Sequence, residues 1–127
     1  MPAPHVYELD LEERPDHVKV ARRFFREVAR NLKIEDGRAE AGELALSEIV
    51  TNAIVHAGGN ITVRVWKQAR GLRLEVIDGN PTMPRMLSPG PAAVGGAGLP
   101  IVASVASEWG WDDGPDGMGK RVWFTLE

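Results

Sequence analysis

The sequence SEIVTNAIVHA at residues 47–57 holds three polar side chains at regular spacing within an apolar helical pattern. The apolar residues predict a helix over residues 39–56, of which this stretch is the C-terminal half. Glu48, Asn52 and His56 are four residues apart, so they form one stripe that drifts by about 40° per step. The stripe borders the apolar face, where a carboxylate or an amide needs a partner or a ligand because burying it unpaired is costly. Taken alone, the stripe is better explained as the solvent side of an ordinary amphipathic helix.

The elements on both sides of this helix predict an α+β domain. Local patterns predict a strand over Val6–Leu11, a helix over residues 15–32, strands over residues 61–66 and 72–77, a helix over residues 99–107, a strand from Trp109, and a strand over residues 121–126. Hairpins with segregated helices favour a two-layer sandwich, in which a mixed, mainly antiparallel sheet carries the helices on one face. Trp66 or Trp123 is expected to cover the other face. No repeat or linker divides the chain, so we expect a single domain over residues 1–127.

The composition excludes several classes of site and partner. The chain has 15 Lys+Arg against 18 Asp+Glu, and this weakly acidic balance argues against direct nucleic-acid binding. It has no cysteine, which excludes disulfides, Cys-ligated metal centres and thiol nucleophiles. No apolar run approaches the length of a membrane span, and the N-terminus has no signal-peptide pattern. We therefore expect a cytoplasmic protein with no membrane partner.

Glycine and proline are concentrated in residues 79–100, which hold five of the 14 glycines and five of the 9 prolines. The segment begins just after Asp78 at the end of a predicted strand, and Asp-Gly-Asn-Pro is by itself a good turn sequence. It ends in a glycine cluster that opens a helix, where backbone N–H groups and the positive end of the helix dipole suit a phosphate group. Taken alone, the first pattern is better explained as a turn, and the glycine cluster is equally typical of a flexible hinge.

Taken together and in this order, the patterns resemble the GHKL ATPase superfamily, which includes gyrase-type ATPases and sensor histidine kinases. SEIVTNAIVHA is similar to its N-box, VIDGNPTMP to its G1 box, GGAGLPIV to its G2 box with the lid, and WGWDDGPDGMGKRVWFTLE to its closing hairpin. Within the superfamily, the sequence looks most like the small anti-sigma-factor serine-protein kinases of bacteria and the short ATP-binding proteins of actinomycetes. The resemblance implies the Bergerat ATP-binding fold over essentially the whole chain from Val6.

The resemblance also implies roles for individual side chains. Asn52 matches the residue whose side-chain oxygen helps to hold Mg²⁺, and Glu48 matches the catalytic carboxylate that polarises the attacking hydroxyl or water. Asp78 matches the carboxylate that accepts from the adenine amine and so selects adenine over guanine. Asn80 stands in the purine pocket where relatives usually have Gly or Ser. For His56, a contact on the phosphate side and a structural hydrogen bond are equal alternatives.

The phosphates of ATP are implied to bind at the glycine cluster. Gly96, Gly98 and Leu99, at the start of the following helix, would cradle them through backbone N–H groups. Besides Asn80, two residues depart from the family pattern. Ala97 stands where close relatives often have Arg, and Pro100 removes one first-turn N–H group.

The implied function is that of an ATP- and Mg²⁺-dependent serine/threonine protein kinase of the anti-sigma type. Such a protein binds a sigma factor and phosphorylates a STAS-type anti-anti-sigma partner. Relatives often dimerise, so a homodimer is a further candidate assembly, although the sequence does not establish the oligomeric state. A non-catalytic module that uses ATP, or only the ATP fold, to present a binding surface is the main alternative. Glu48 and Asn52 favour the enzyme, whereas Ala97 and Pro100 favour the module. An unrelated α+β domain with coincidental motifs would bind no nucleotide.

Overall fold

The computed structural model describes residues 5–56, 59–78, 98–114 and 119–127. In chain order the elements are β1 (Val6–Leu11), α1 (His17–Asn31), α2 (Asp36–His56), β2 (Ile61–Gln68), β3 (Gly71–Asp78), α3 (Gly98–Val105), β4 (Glu108–Asp113) and β5 (Lys120–Leu126). The strands form one sheet in the order β1-β2-β3-β5-β4, and every neighbouring pair is antiparallel. The predicted α+β class is confirmed. The sheet, expected to be mixed, is antiparallel throughout the part of the chain described here.

Strand alternation directs one face of the sheet towards the helices. On β2 and β3 the fully buried side chains occupy alternate positions: Ile61, Val63, Val65, Leu72, Leu74 and Val76. They form one core with Phe25 of α1 and with Leu46 and Val50 of α2. Burying each large apolar side chain contributes roughly 1.5–3 kcal/mol relative to leaving it exposed. The shared core therefore holds the helices on this face of the sheet.

The helices lie where the sequence predicts them, but their ends are shifted by up to three residues. α2 begins at Asp36, three residues before the predicted start at residue 39, and this acidic residue lies in the first turn. A carboxylate there is favoured by the positive end of the helix dipole. α3 covers Gly98–Val105, one residue earlier at its start and two earlier at its end than predicted. Among the residues described, no helix has the length and apolar character that crossing a membrane requires.

The β2–β3 hairpin is tighter than the sequence predicts. Lys67 and Gln68 pair with Leu72 and Gly71, so the connection is reduced to residues 69–70. Gly71 has a φ of +116°, and a Cβ atom there would collide with the carbonyl oxygen of Leu126. Only glycine adopts this backbone conformation without strain, so Gly71 allows the two-residue turn and the close approach of β5.

The outer face of the sheet carries a cation between two tryptophans. The Arg73 guanidinium carbon lies 4.3 Å from the ring centre of Trp123 and 5.8 Å from that of Trp66. Its Nη2 atom also lies 2.9 Å from Oε2 of the buried Glu75. Both tryptophans are half-buried on this face, in agreement with the sequence prediction. Arg73 and the tryptophans thus cover the face that no described helix covers.

Candidate functional site

One row of residues crosses all five strands near one end of the sheet. The antiparallel register joins Leu11 to Ile61, Ile61 to Asp78, Asp78 to Lys120, and Lys120 to Asp113. Directly paired residues of neighbouring strands point to the same side of a sheet. Ile61 lies in the core under the helices, so the side chains of Asp78 and Lys120 face the helices as well.

The C-terminal turns of α2 lie at this end of the sheet. α2 ends at His56, and only residues 57–60 separate it from Ile61, the row's member on β2. Ala53, in the last turn of α2, is buried in the core that also contains Ile61. The C-terminal end of the predicted polar stripe on α2 is therefore near this end of the sheet.

α3 is anchored at the opposite end of the sheet by its C-terminus. Ser107 donates its backbone N–H to the carbonyl oxygen of Thr125 at 2.9 Å, and β4 begins at the next residue, Glu108. Thr125 is five residues along β5 from Lys120, which corresponds to about 17 Å of extended strand. The C-terminal anchor of α3 therefore lies at the end of the sheet away from the row.

Glu48 and Asn52 lie at the border between the buried and the exposed faces of α2. Both side chains are half-buried, whereas Ile49 and Ala53, which follow them, are buried, and Thr51 is exposed. One helical turn separates the carboxylate from the amide. The placement suits side chains that contact both the domain and a ligand, but their assigned roles stay predictions.

The other predicted ligand-binding residues are described in part or not at all. His56 is the last residue of α2, and Gly98 and Leu99 open α3 as predicted, but the side chains of these residues are not described. Asn80 and Gly96 lie outside the described residues. The roles of all five in nucleotide binding stay predictions.

Asp78 is the most deeply buried of the predicted site residues whose side chains are described. Its exposed fraction is 3%, and its Oδ2 atom lies 2.9 Å from Nζ of Lys120, which is also buried. A buried charge is tolerated only when it is paired and hydrogen-bonded. The carboxylate predicted to accept from adenine is therefore already bound to a cation.

Lys120 belongs to the segment that is similar to the closing hairpin, but the sequence predictions gave it no role at the site. A signal for it exists in β5, where Val122, Phe124 and Leu126 alternate as core residues and Lys120 continues the same face. The partner of Lys120 has no local signal, because Asp78 and Lys120 meet only when β3 and β5 become neighbours in the sheet.

The chemistry of the donor set fits a magnesium ion that arrives with a nucleotide. Within residues 5–56, 59–78, 98–114 and 119–127, no three His, Asp or Glu side chains come together where they could hold a metal ion. The amide oxygen of Asn52 is a suitable ligand for Mg²⁺, which binds oxygen and usually keeps phosphates and water as its other ligands. Asn52 would supply one neutral oxygen ligand, and the phosphates of the nucleotide would supply the negatively charged oxygen ligands of the ion.

A cleft of about 430 Å³ lies at the opposite end of α2 from Asn52. Its charged lining residues are Arg26, Arg30, Lys33, Asp36, Glu40 and Glu43, so cations and anions are balanced around it. None of the predicted ATP-binding residues lines this cleft. The predicted ATP-binding residues and this cleft are therefore separate features of the domain.

Comparison with known proteins gives the family. The sequence model of the histidine kinase-like ATPase domain matches residues 11–126. The match runs from the last residue of β1 to the last residue of β5, and so contains every residue of the candidate site. No curated protein is significantly similar to this chain. Domains of this kind bind ATP, usually with Mg²⁺, and the match confirms the resemblance to the GHKL superfamily. The chain belongs to the histidine kinase-like ATPase domain family.

Proposed function

We propose that this chain is an ATP-dependent regulator of the anti-sigma type, which transfers a phosphoryl group to a serine or threonine of a STAS-type anti-anti-sigma protein. The observation that carries the proposal is the position of Glu48 and Asn52, one turn apart at the half-buried border of α2. A carboxylate and a metal-binding amide at this spacing can serve one phosphoryl-transfer reaction. The sigma factor is the second partner in this proposal.

The proposed reaction requires little covalent chemistry from these side chains. In phosphoryl transfer, catalysis comes mainly from positioning the reactants and from stabilising the charge of the transition state. Glu48 would accept a hydrogen bond from the attacking hydroxyl group and orient it, and this role requires hydrogen-bond reach. Asn52 would fix the position of the magnesium-bound phosphates, and Asp78 would hold the base. The N-terminus of α3 would bind phosphate oxygens through backbone N–H groups.

A non-catalytic, nucleotide-binding module is the second candidate, and the ion pair of Asp78 favours it. The base must share the Asp78 carboxylate with Lys120, whose Nζ lies 2.9 Å away. Sharing a buried acceptor with a charged donor weakens its bond to an incoming neutral amine. Weak nucleotide binding suits a protein that acts through its surface rather than through turnover.

Two measurements separate these candidates. The purified chain is first titrated with magnesium-ATP, and then incubated with ATP labelled in the γ-phosphate together with a STAS-domain protein encoded nearby. Label on a serine or threonine of the partner is the result expected for the kinase. ATP binding without transfer favours the module, and failure to bind ATP contradicts both.

A further inference from the structure

The exposed side of α1 carries a row of cations. α1 holds five of the chain's 15 Lys+Arg and one of its 18 Asp+Glu. All five cationic side chains are exposed, and they are Lys19, Arg22, Arg23, Arg26 and Arg30. Because an α-helix has 3.6 residues per turn, the five lie within about 100° of its circumference and extend over about 16 Å of its length. They form one surface, which we call the basic face.

Other residues of the chain neutralise the basic face only in part. Oε1 of Glu43 on α2 lies 3.2 Å from Arg22 and 2.7 Å from Arg26, so one carboxylate serves two cations. In the part of the chain that the structure describes, the other three cations of the face form no salt bridge. The basic face therefore keeps an excess of positive charge on a chain whose formal net charge is -3.

The stability of α1 does not explain this concentration of charge. Like charges four residues apart on a helix repel each other, and Lys19 with Arg23 and Arg26 with Arg30 are two such pairs. Lys19 also lies in the first turn, where the positive end of the helix dipole disfavours a cation. Arg30 lies in the last turn, where the dipole favours it. A partner that supplies negative charge to the basic face would relieve the repulsion.

We propose that the basic face is a docking surface for an acidic segment of a partner protein, which lies along α1 over about 16 Å. Carboxylates of the segment pair with Lys19, Arg23 and Arg30, the cations that form no salt bridge among the described residues. Two of these three are arginines, whose planar guanidinium group matches a carboxylate in bidentate geometry. The proposal goes beyond the proposed function, because it uses no residue of the candidate nucleotide site.

An anionic membrane fits the basic face less well than an acidic protein does. A helix that binds a membrane surface places its apolar side among the lipid chains. The apolar side of α1 is buried in the core of the domain through Ala21, Phe25 and Val28. α1 therefore cannot insert into a bilayer while the domain is folded.

A nucleic acid also fits the basic face less well. Nucleic-acid-binding domains are usually basic overall, and those that bind single strands add exposed aromatic side chains on which the bases stack. This chain has more Asp+Glu than Lys+Arg, and it would repel a long polyanion everywhere except at α1. The two aromatic residues of α1 are Phe24, which is half-buried, and Phe25, which is buried. An acidic segment of limited length contacts the basic face alone.

The test measures the binding of an acidic probe peptide by fluorescence anisotropy. The probe is a labelled peptide with the repeat Glu-Glu-Ala and blocked termini, about 12 residues long, so that as a helix it covers the length of the basic face. The face variant combines Lys19→Gln with Arg23→Gln. The hairpin variant combines Lys67→Gln with Arg70→Gln, and it is the matched control because it removes one exposed Lys and one exposed Arg at the β2–β3 hairpin.

We expect the native chain to bind the probe, and the affinity to fall as the ionic strength rises past about 0.1 M, where the Debye length is about 10 Å. The face variant should bind the probe at least about fivefold more weakly, and the hairpin variant less than about twofold more weakly. Circular dichroism establishes that both variants are folded, which is expected because only exposed side chains change. Equal weakening in the two variants, or a native chain that does not bind the probe, would overturn the proposal.

The same variants distinguish the other partners that a basic surface attracts. Single-stranded DNA of the same charge as the probe and vesicles that contain phosphatidylserine are titrated in parallel, and the native chain alone is examined by sedimentation. Tighter binding of DNA or vesicles than of the probe, when the face variant abolishes it, overturns the proposal in favour of that partner. Self-association that is lost in the face variant overturns it in favour of a second copy of this chain. None of these measurements uses ATP, so their outcomes are independent of the proposed function.

Discussion

Glu43 of α2 is bound to Arg26 of α1, with Oε1 of the carboxylate 2.7 Å from the guanidinium group. Arg22, one turn earlier on α1, reaches the same oxygen at 3.2 Å. The hydrogen bond from Arg26 lowers the pKa of Glu43 below its usual value, and the contact with Arg22 acts in the same direction. One carboxylate thus links two cations of α1 to α2.

The lowered pKa of Glu43 predicts that the fold loses stability in acid. A carboxyl group whose pKa is lower in the folded state stabilises the fold above its unfolded pKa, about 4.3 for Glu, and loses that contribution as the pH falls through the folded value. Urea unfolding of the native chain should therefore show a lower midpoint below about pH 4, and Glu43→Gln should show a smaller decrease. Glu40→Gln, which removes an exposed carboxylate of the same helix, is the control. Identical pH profiles for the native chain and Glu43→Gln would contradict this assignment.

Glu48→Gln tests the catalytic carboxylate. The amide is nearly the same size, so the affinity for magnesium-ATP should stay within about threefold, while phosphotransfer to the STAS-type partner should fall by about a hundredfold or more because the general base is lost. Binding is measured by titration, and transfer is measured in single-turnover reactions with labelled ATP. Glu40→Gln again serves as the control on the same helix. Undiminished transfer in Glu48→Gln would remove Glu48 from the mechanism.

The sequence predicted most of the fold because most of its signals are local. Alternation placed β1 at its observed bounds, and the buried residues at alternate positions of β2 and β3 follow from it. The errors arose where the local signal is weak. Gly37 obscured the start of α2, and the polar end of β2 made the hairpin connection appear longer than it is.

The candidate site was predicted less completely, for a different reason. Glu48 and Asn52 share one helix, so the spacing of residues along the chain was enough to bring them together. The pairing of Asp78 with Lys120 depends on the order of strands in the sheet, which places β5 beside β3. No residue pattern within β3 or within β5 indicates which strands are neighbours in the sheet.

The Asp78–Lys120 pair predicts a non-additive effect on stability. Asp78→Asn and Lys120→Met would each leave a buried charge without its partner and should each lower the free energy of unfolding by about 3–5 kcal/mol. The double variant leaves neither charge, so its loss should be clearly smaller than the sum of the two. Urea unfolding of the native chain and the three variants measures the coupling. Strict additivity would contradict a direct interaction between the two side chains.

Of the two glycines of α2, Gly42 should be the more sensitive to substitution. A Cβ atom on Gly42 would lie 2.6 Å from Cδ1 of Leu126 and 2.8 Å from Cζ of Phe25, both of which belong to the core. Overpacking of this kind costs about 1–3 kcal/mol, whereas the gain in helix propensity from Gly to Ala is at most about 1 kcal/mol. Gly42→Ala should therefore lower the free energy of unfolding by up to about 2 kcal/mol, as measured by urea denaturation.

Gly37→Ala is the matched control for this substitution, because Gly37 lies in the first turn of the same helix and is exposed. The nearest atom to its added Cβ would be Oε1 of Glu35 at 3.4 Å, an ordinary contact. Only the difference in helix propensity between Gly and Ala then acts. Gly37→Ala should therefore leave the free energy of unfolding unchanged or raise it by up to about 1 kcal/mol. If Gly42→Ala is as stable as Gly37→Ala, then Phe25 and Leu126 can move aside, and the contact between α1, α2 and β5 is looser than the distances indicate.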